Sequence, residues 1–499
     1  MKRFVKRIGA LTAACLMLLM SMPIEAQAAE VGYTYTFDYW GDVQYSPDAY
    51  SVASVYTSAD LGLETKLASP QGMFVYGDLI YICDTGNNRI LELKRTSTEQ
   101  LKVEKEYTTF NGAELNTFNS PTDIAVCEDY FYIADRENER ILKLDKSFNY
   151  IMEFTKPLDE TFDQEMRFLP SKIAIDTAGR VYCVATNVNK GLIKYEADGS
   201  FAGFVGATPV TYSFSDYVWK KLASKEQRAQ MVNFVPTEYD NLYMDKEGFI
   251  YVCTSHVSDT DLYAGNADPI RRLNMMGSDI LIRNGNWEII GDIHWGSGGG
   301  RTGSSLLVDI TTFDNEAYVA VDKTRGRLFG YDDQGRLLFA FGGYGQIDGY
   351  FRVPSAIEHM GYDLLVLDQL DCSITLFTPT EYGSLIFQAM DLFQDGEYEA
   401  SGETWQKVID LNGNYDLAYI GIGRALLRQE KYHEAMEYFK LKWDDDNYSK
   451  AFKQYRKEWV EENIVAIVAV LVIVIVLPLT IGKIRKIKRE IDTADIFKR

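Results

Sequence analysis

Histidine is scarce in this 499-residue chain: there are four, His256, His294, His359 and His433, with no paired spacing among them. A histidine-rich metal centre or a His-based proton relay has little to be built from. Cysteine is scarce too, six in all. Cys15 lies inside an N-terminal apolar run rather than after it, which does not suit a lipid-attachment site. The other five, Cys83, Cys127, Cys183, Cys253 and Cys372, are odd in number and lack paired spacings, so no disulfide framework or zinc site is read from them. Three of them fall in strand-like segments, where a free thiol packs as a small hydrophobe. Basic charge is in deficit, with 51 Lys and Arg against 72 Asp and Glu for a net charge of −21. The first 28 residues contribute about +3 and the tail from Lys483 about +4, which leaves the part between near −28. Such an acidic surface excludes nucleic acid and favours neutral ligands or cations. No nucleophile elbow and no paired-carboxylate spacing is present.

Charge is also missing locally, from Ile464 to Ile481. That run is preceded by Glu458, Glu461 and Glu462 and followed by Lys483, Arg485, Lys486, Lys488 and Arg489. Length, apolarity and the basic flank predict one membrane-spanning helix over 464–482 with a cytoplasmic tail at 483–499. At the other end, Lys2, Arg3, Lys6 and Arg7 precede an apolar run and Ala26-Gln27-Ala28, the pattern of a secretory leader over 1–28. Together they predict a single-pass protein of a bacterial cell membrane with its bulk outside the cell.

Between these ends the chain repeats itself. Six copies between Leu67 and Phe377 each carry a turn, an apolar strand, a second strand ending in an Asp-like position, and a third strand. The best copies place Asp84, Asp135, Asp322 and Asp368 at that position, with Arg89, Arg140 and Arg327 five residues beyond the first three. Two degenerate copies have Ala185 and Thr254 there. Pro70, Pro121 and Pro354 stand 14 residues before their Asp, and Pro170 and Pro236 match with small insertions. A period of roughly 40–50 residues holding several short strands predicts the blades of a β-propeller. An unassigned strand at Tyr50–Tyr56 is expected to complete the last blade and close the ring. The recurring Asp and Arg are expected to bond within their blade rather than to a ligand.

The motifs Pro-x-Gly/Asp-hydrophobic, Tyr-Ile-x-Asp-x-x-x-x-Arg-Ile and Tyr350-Phe351-Arg352-Val353-Pro354 resemble those of the NHL-repeat family of six-bladed propellers over about residues 50–380. The resemblance implies a mainly β, six-bladed domain over 32–380, and membrane-tethered NHL proteins suggest an accessory role in carbohydrate capture or solute transport. Beyond it, 383–416 and 417–450 are two copies offset by 34 residues, Tyr398 matching Tyr432 and Trp405 matching Phe439. They resemble tetratricopeptide repeats, which implies a small helical module over 383–455 that docks a protein partner.

The turns before the innermost strands are expected to supply a ligand ring at one end of the channel, from Gln71, Asp123, Lys172, Glu238, Asp309 and Ser355. Insertions at 215–232, 256–269 and 291–303 bring Trp219, His256 and Trp295 near it, together with Trp287 and Tyr239. The expected ligand-binding residues are therefore Asp123, Lys172, Glu238, Asp309, His256, Trp295 and Trp219. Aromatic platforms beside carboxylates suit a carbohydrate. An oxygen-rich ring also suits a divalent cation such as Ca²⁺. Six-bladed gluconolactonase-like hydrolases use Glu, Asn and Asp around such a metal, and Glu238, Asn241, Asp123 and Asp309 would fill that role here. A non-catalytic binding or scaffold protein fits more of the chain than that hydrolase does, and no cofactor is otherwise expected.

Overall fold

The computed structural model describes residues 33–496, apart from 98–99, 160–161, 163, 187, 207–238, 255–256, 286 and 295–302. The leader and the insertion at 215–232 lie outside the described residues. The described chain forms two compact units. One holds residues 50–378 and the segment up to Tyr35, and the other holds 36–49 and everything from Pro379 onward.

The first unit is a six-bladed β-propeller. Its innermost strands are Gly72–Tyr76, Pro121–Val126, Pro170–Ile175, Asn241–Met244, Leu307–Thr312 and Pro354–Met360, and each touches the next around a closed ring. Each blade runs outward as an antiparallel meander. The second strands, such as Leu79–Asp84 and Tyr130–Asp135, are near-continuous apolar runs because both their faces are buried between neighbouring blades. The last blade is closed by Tyr50–Tyr56, which lies beside Ser373–Pro379, as the unassigned strand required. Ring closure is cemented by side chains from both ends of the domain: Ile80, Ile82, Leu91 and Leu93 pack with Leu365, Leu367, Ile374, Leu376 and Tyr56. Each such Leu or Ile contributes about 1.5–3 kcal/mol relative to an exposed one. The fifth blade gains an outer strand, with Tyr35 opposite Ala340. The fourth has three strands, ending at Ile270–Leu273.

The repeating Asp and Arg are structural in the first two blades. Arg89 Nε donates to Asp84 Oδ2 at 2.7 Å, and Arg140 Nε to Asp135 Oδ2 at 2.9 Å. The same aspartates accept from the backbone N–H of Ala68 (2.8 Å) and Asn119 (2.7 Å), which pins the turn entering each blade. In the fifth blade the pairing changes. Arg327 turns to Asp292 (2.6 Å) and the Tyr35 hydroxyl (2.9 Å), which the extra outer strand brings into reach. Asp322 instead accepts from Leu306 N, Thr324 N and Ser305 Oγ. All five described cysteines are unbridged, and Cys83, Cys183 and Cys253 are buried.

The second unit is helical. Glu381–Gln394, Tyr398–Leu411, Asp416–Arg428 and Tyr432–Leu441 pack in succession as two hairpins, followed by the long helix Asp445–Ile496. Thr380 caps the first helix, its Oγ1 accepting from Gly383 N at 3.2 Å. The small residue at 423 is dictated by packing, since a Cβ there would sit 2.6 Å from Phe439 Cε1. Within the insertion at 256–269, Asp259–Tyr263 is a short helix capped by Ser258, whose Oγ accepts from Asp261 N. The long C-terminal helix contains an 18-residue window of mean hydropathy 3.4, none of it buried, and is long and apolar enough to cross a membrane.

Candidate functional site at the propeller channel

Strand pairing sets which residues share a level of the channel. Gly72 lies opposite Cys83, Asp123 opposite Ala134, Lys172 opposite Val184, Asn241 opposite Cys253, Asp309 opposite Val321, and Ala356 opposite Leu367. Each of these partners stands one residue before its blade's Asp-like position, so the six form one ring. Gln71 and Ser355, expected in that ring, are one residue out of register. A bulge in the inner strands of the second, third, fifth and sixth blades adds an unpaired residue at this point. Ser355 serves a different purpose: its hydroxyl donates to Pro70 O of the next blade at 3.2 Å. Thr122 does the same to Pro170 O at 3.1 Å.

The ring is a charged floor. Asp123 Oδ2 accepts from Ile173 N of the next blade at 2.8 Å, and Asp309 Oδ2 accepts from Ile357 N of its own next blade at 2.8 Å. Lys172 places its ammonium between them, 3.9 Å from Asp123 Oδ1 and 4.0 Å from Asp309 Oδ2. Burial pushes the Asp123 carboxyl up to about 6, with Lys172 working against the rise. Burial raises Asp309 as well, again opposed by Lys172. For Lys172 burial works against the charge, but Asp309 and Asp123 outweigh it and hold the ammonium above its ordinary range. Gly72 completes the floor because any Cβ there would meet the backbone and carboxylate of Asp123.

Asn241 is committed to this network. Its amide nitrogen donates to Asp309 Oδ1, and its own Oδ1 accepts from Leu242 N at 2.8 Å. Of the four residues expected around a metal, Asp123, Asp309 and Asn241 therefore share the floor, with the Lys172 ammonium between the two carboxylates; Glu238 lies outside the described residues. Among the described residues no group of three or more His, Cys, Asp or Glu is placed to hold a metal ion. Trp219, His256 and Trp295 also lie outside the described residues. Tyr239 is a buried support, its hydroxyl donating to Gly206 O at 2.6 Å.

Two residues further along each inner strand comes a second ring: Phe74, Ala125, Ala174, Tyr243, Thr311 and Glu358. All but Thr311 line a cavity of about 370 Å³ above the floor. The two alanines leave the space, and Phe74 and Tyr243 wall it. Tyr243 hydrogen-bonds to Thr311 and Thr312, and the Thr311 hydroxyl lies 2.7 Å from His359 Nδ1. Glu358 is only 7 % exposed, and burial, followed by Asp309 and Asp123, pushes its carboxyl well above the ordinary glutamate range. The Lys172 contacts go to the aspartates and leave Glu358 without an ion pair. Sequence reading missed Glu358 because it stands past the turn, inside an apolar strand. The signal was present: a charged residue at an inward position, four residues after Pro354.

The cavity widens toward Cys127, Asp176, Thr177, Arg180, Asp245–Gly248 and Met275. These residues follow the inner strands or sit at the same end of the blades. Residues 257–269, which follow the second strand of their blade, leave from the opposite end. The cavity thus faces away from the end at which the sequence placed the ligand.

No protein-family model matches the chain, and no curated protein matches it. Solved propellers do. Virginiamycin B lyase from Staphylococcus aureus is 12 % identical with a TM-score of 0.37, over 66 % of this chain and 99 % of its own. BamB from Moraxella catarrhalis is 11 % identical with a TM-score of 0.30, over 61 % of this chain and 71 % of its own. The extracellular domain of a protein described as a one-component system from B. thetaiotaomicron is 12 % identical with a TM-score of 0.36, over 70 % of this chain and 38 % of its own. At these TM-scores the likenesses decide nothing; the six-bladed β-propeller is read from this chain's own strand order.

Proposed function

We propose that this is a membrane-anchored, outward-facing binding protein, an NHL-type propeller that takes a small polar solute in its channel and docks a partner through tetratricopeptide-like hairpins. The observation that carries the reading is the cavity of about 370 Å³ above the Asp123–Lys172–Asp309 floor. Its volume is that of a small-ligand site, walled by aromatic side chains with a few buried polar groups. The polar groups of the floor are engaged with each other and with the backbone of the next blade, which suits holding a ligand rather than transforming it. A role beside a solute transporter, with a carbohydrate as solute, fits this arrangement and the helix that is apolar enough to anchor it.

The test is the melting temperature of the detergent-solubilised full chain against mono- and oligosaccharides, amines and divalent ions, with lactone turnover assayed on the same preparation. Stabilisation by a solute without turnover is the expected result. Turnover that depends on an added divalent ion would replace binding with metal-dependent hydrolysis. For the helical hairpins, changing the exposed Leu441 by Leu441→Asp should weaken capture of a membrane partner while leaving solute stabilisation intact.

A further inference from the structure

The channel holds one carboxylate that the fold does not use. Asp123 and Asp309 each staple their blade to the next and share Lys172. Glu358 does neither: it accepts from the backbone of His359, it has no ion pair among the described residues, and it lines the cavity although the residue is more than nine-tenths buried. At these two levels three acids face one base, and toward its mouth the cavity adds Asp176, Asp245 and Glu247 with Arg180 and Lys246. A carboxylate buried without a cation costs several kcal/mol and is held toward its neutral form instead, so a cation entering the cavity would meet a carboxyl that has no other counter-ion to give up.

Two alternatives are disfavoured by chemistry. An anion would face three carboxylates. Ca²⁺ needs six to eight oxygens at about 2.3–2.6 Å, and the aspartate oxygens here are engaged with backbone N–H groups and Lys172. A primary ammonium needs only a carboxylate and one or two further acceptors, with apolar or aromatic surface for its carbon skeleton. Glu358 and Asp123 supply carboxylates, and Phe74, the Tyr243 ring and the space beside Ala125 and Ala174 supply the rest, in one cavity. The charge of the chain, −21, concentrates cations near the protein.

We propose that the channel cavity binds a small solute bearing a primary ammonium, with Glu358 as its counter-ion and Phe74 and Tyr243 as its walls. This rests on the reading of the cavity as a solute site and names the class of solute. An amino sugar and an aliphatic amine share the recognised group, and a pair of matched probes separates them.

The experiment measures thermal stabilisation and Kd of the full chain in detergent at pH 6.5. The probes are glucosamine against glucose and N-acetylglucosamine, and putrescine against 1,4-butanediol. Binding of glucosamine or putrescine without binding of its neutral counterpart is expected, and which of the two binds identifies the skeleton. Glu358→Gln should weaken that binding by about 10–100-fold, the worth of a hydrogen bond to a charged group, while melting no lower than wild type without ligand. Ala174→Leu, which fills the cavity without changing charge, should abolish it. Equal binding of glucose and glucosamine, or amine binding indifferent to Glu358→Gln, would overturn the ammonium and leave the solute site standing. Amine binding that survives Ala174→Leu would place the ligand elsewhere and overturn the proposal. A flat response to every probe would overturn both.

Discussion

Glu358 and Asp123 make the channel sensitive to pH in a direction that can be worked out. Both carboxyls are raised, by burial first, Glu358 further by Asp309 and Asp123 and with Lys172 opposing in each case. A raised acid favours the protonated fold. Its contribution is therefore complete below the unfolded value, near 4, and is lost as pH rises through the folded value, about 6 for Asp123. Glu358→Gln keeps the shape and removes the charge. It should melt close to wild type at pH 4 and progressively above it from pH 5 to 8 in calorimetric scans; a gap independent of pH would contradict the raised carboxyl. The blade aspartates test a buried ion pair instead. Asp135→Ala leaves Arg140, 6 % exposed, without its buried partner and should cost about 3–5 kcal/mol by urea unfolding. Lys246→Ala breaks only the pair with Asp314, 58 % and 91 % exposed, and should cost less than about 1 kcal/mol.

At the scale of elements, the blades were legible because their determinants are local. Asp84 and Arg89, or Asp135 and Arg140, are five residues apart and meet across one turn. The channel levels were less legible. In the sixth blade a one-residue bulge moved the ring from Ser355 to Ala356, and no local pattern announces a bulge; in the first blade Gly72 rather than Gln71 takes that level without one. The helical hairpins show the same division. Their 34-residue offset is visible in sequence, whereas the reason for glycine at 423, the ring of Phe439, is not. Gly423→Val should overpack that contact and cost about 1–3 kcal/mol. The loss should register in helical circular dichroism, with the β-rich transition unchanged.

For the whole molecule, the prediction concerns location. Removing residues 464–499 deletes the apolar window and its basic flank. The shortened protein should move from the membrane fraction to the soluble fraction with its solute binding unchanged. Fractionation followed by the melting assay checks both halves. The sequence by itself determined the six-fold β repeat, the closing strand and the apolar C-terminal helix. Each follows from periodicity, turn residues or composition among near neighbours, where alternation and backbone hydrogen bonding act directly. Only the tertiary structure decided that Asp123, Lys172, Asp309 and Glu358, carried by four different blades, look into one cavity. It alone turned Arg327 from Asp322 to Asp292. Ring closure sets those meetings, because it brings together strands whose separation along the chain carries no local signal of contact.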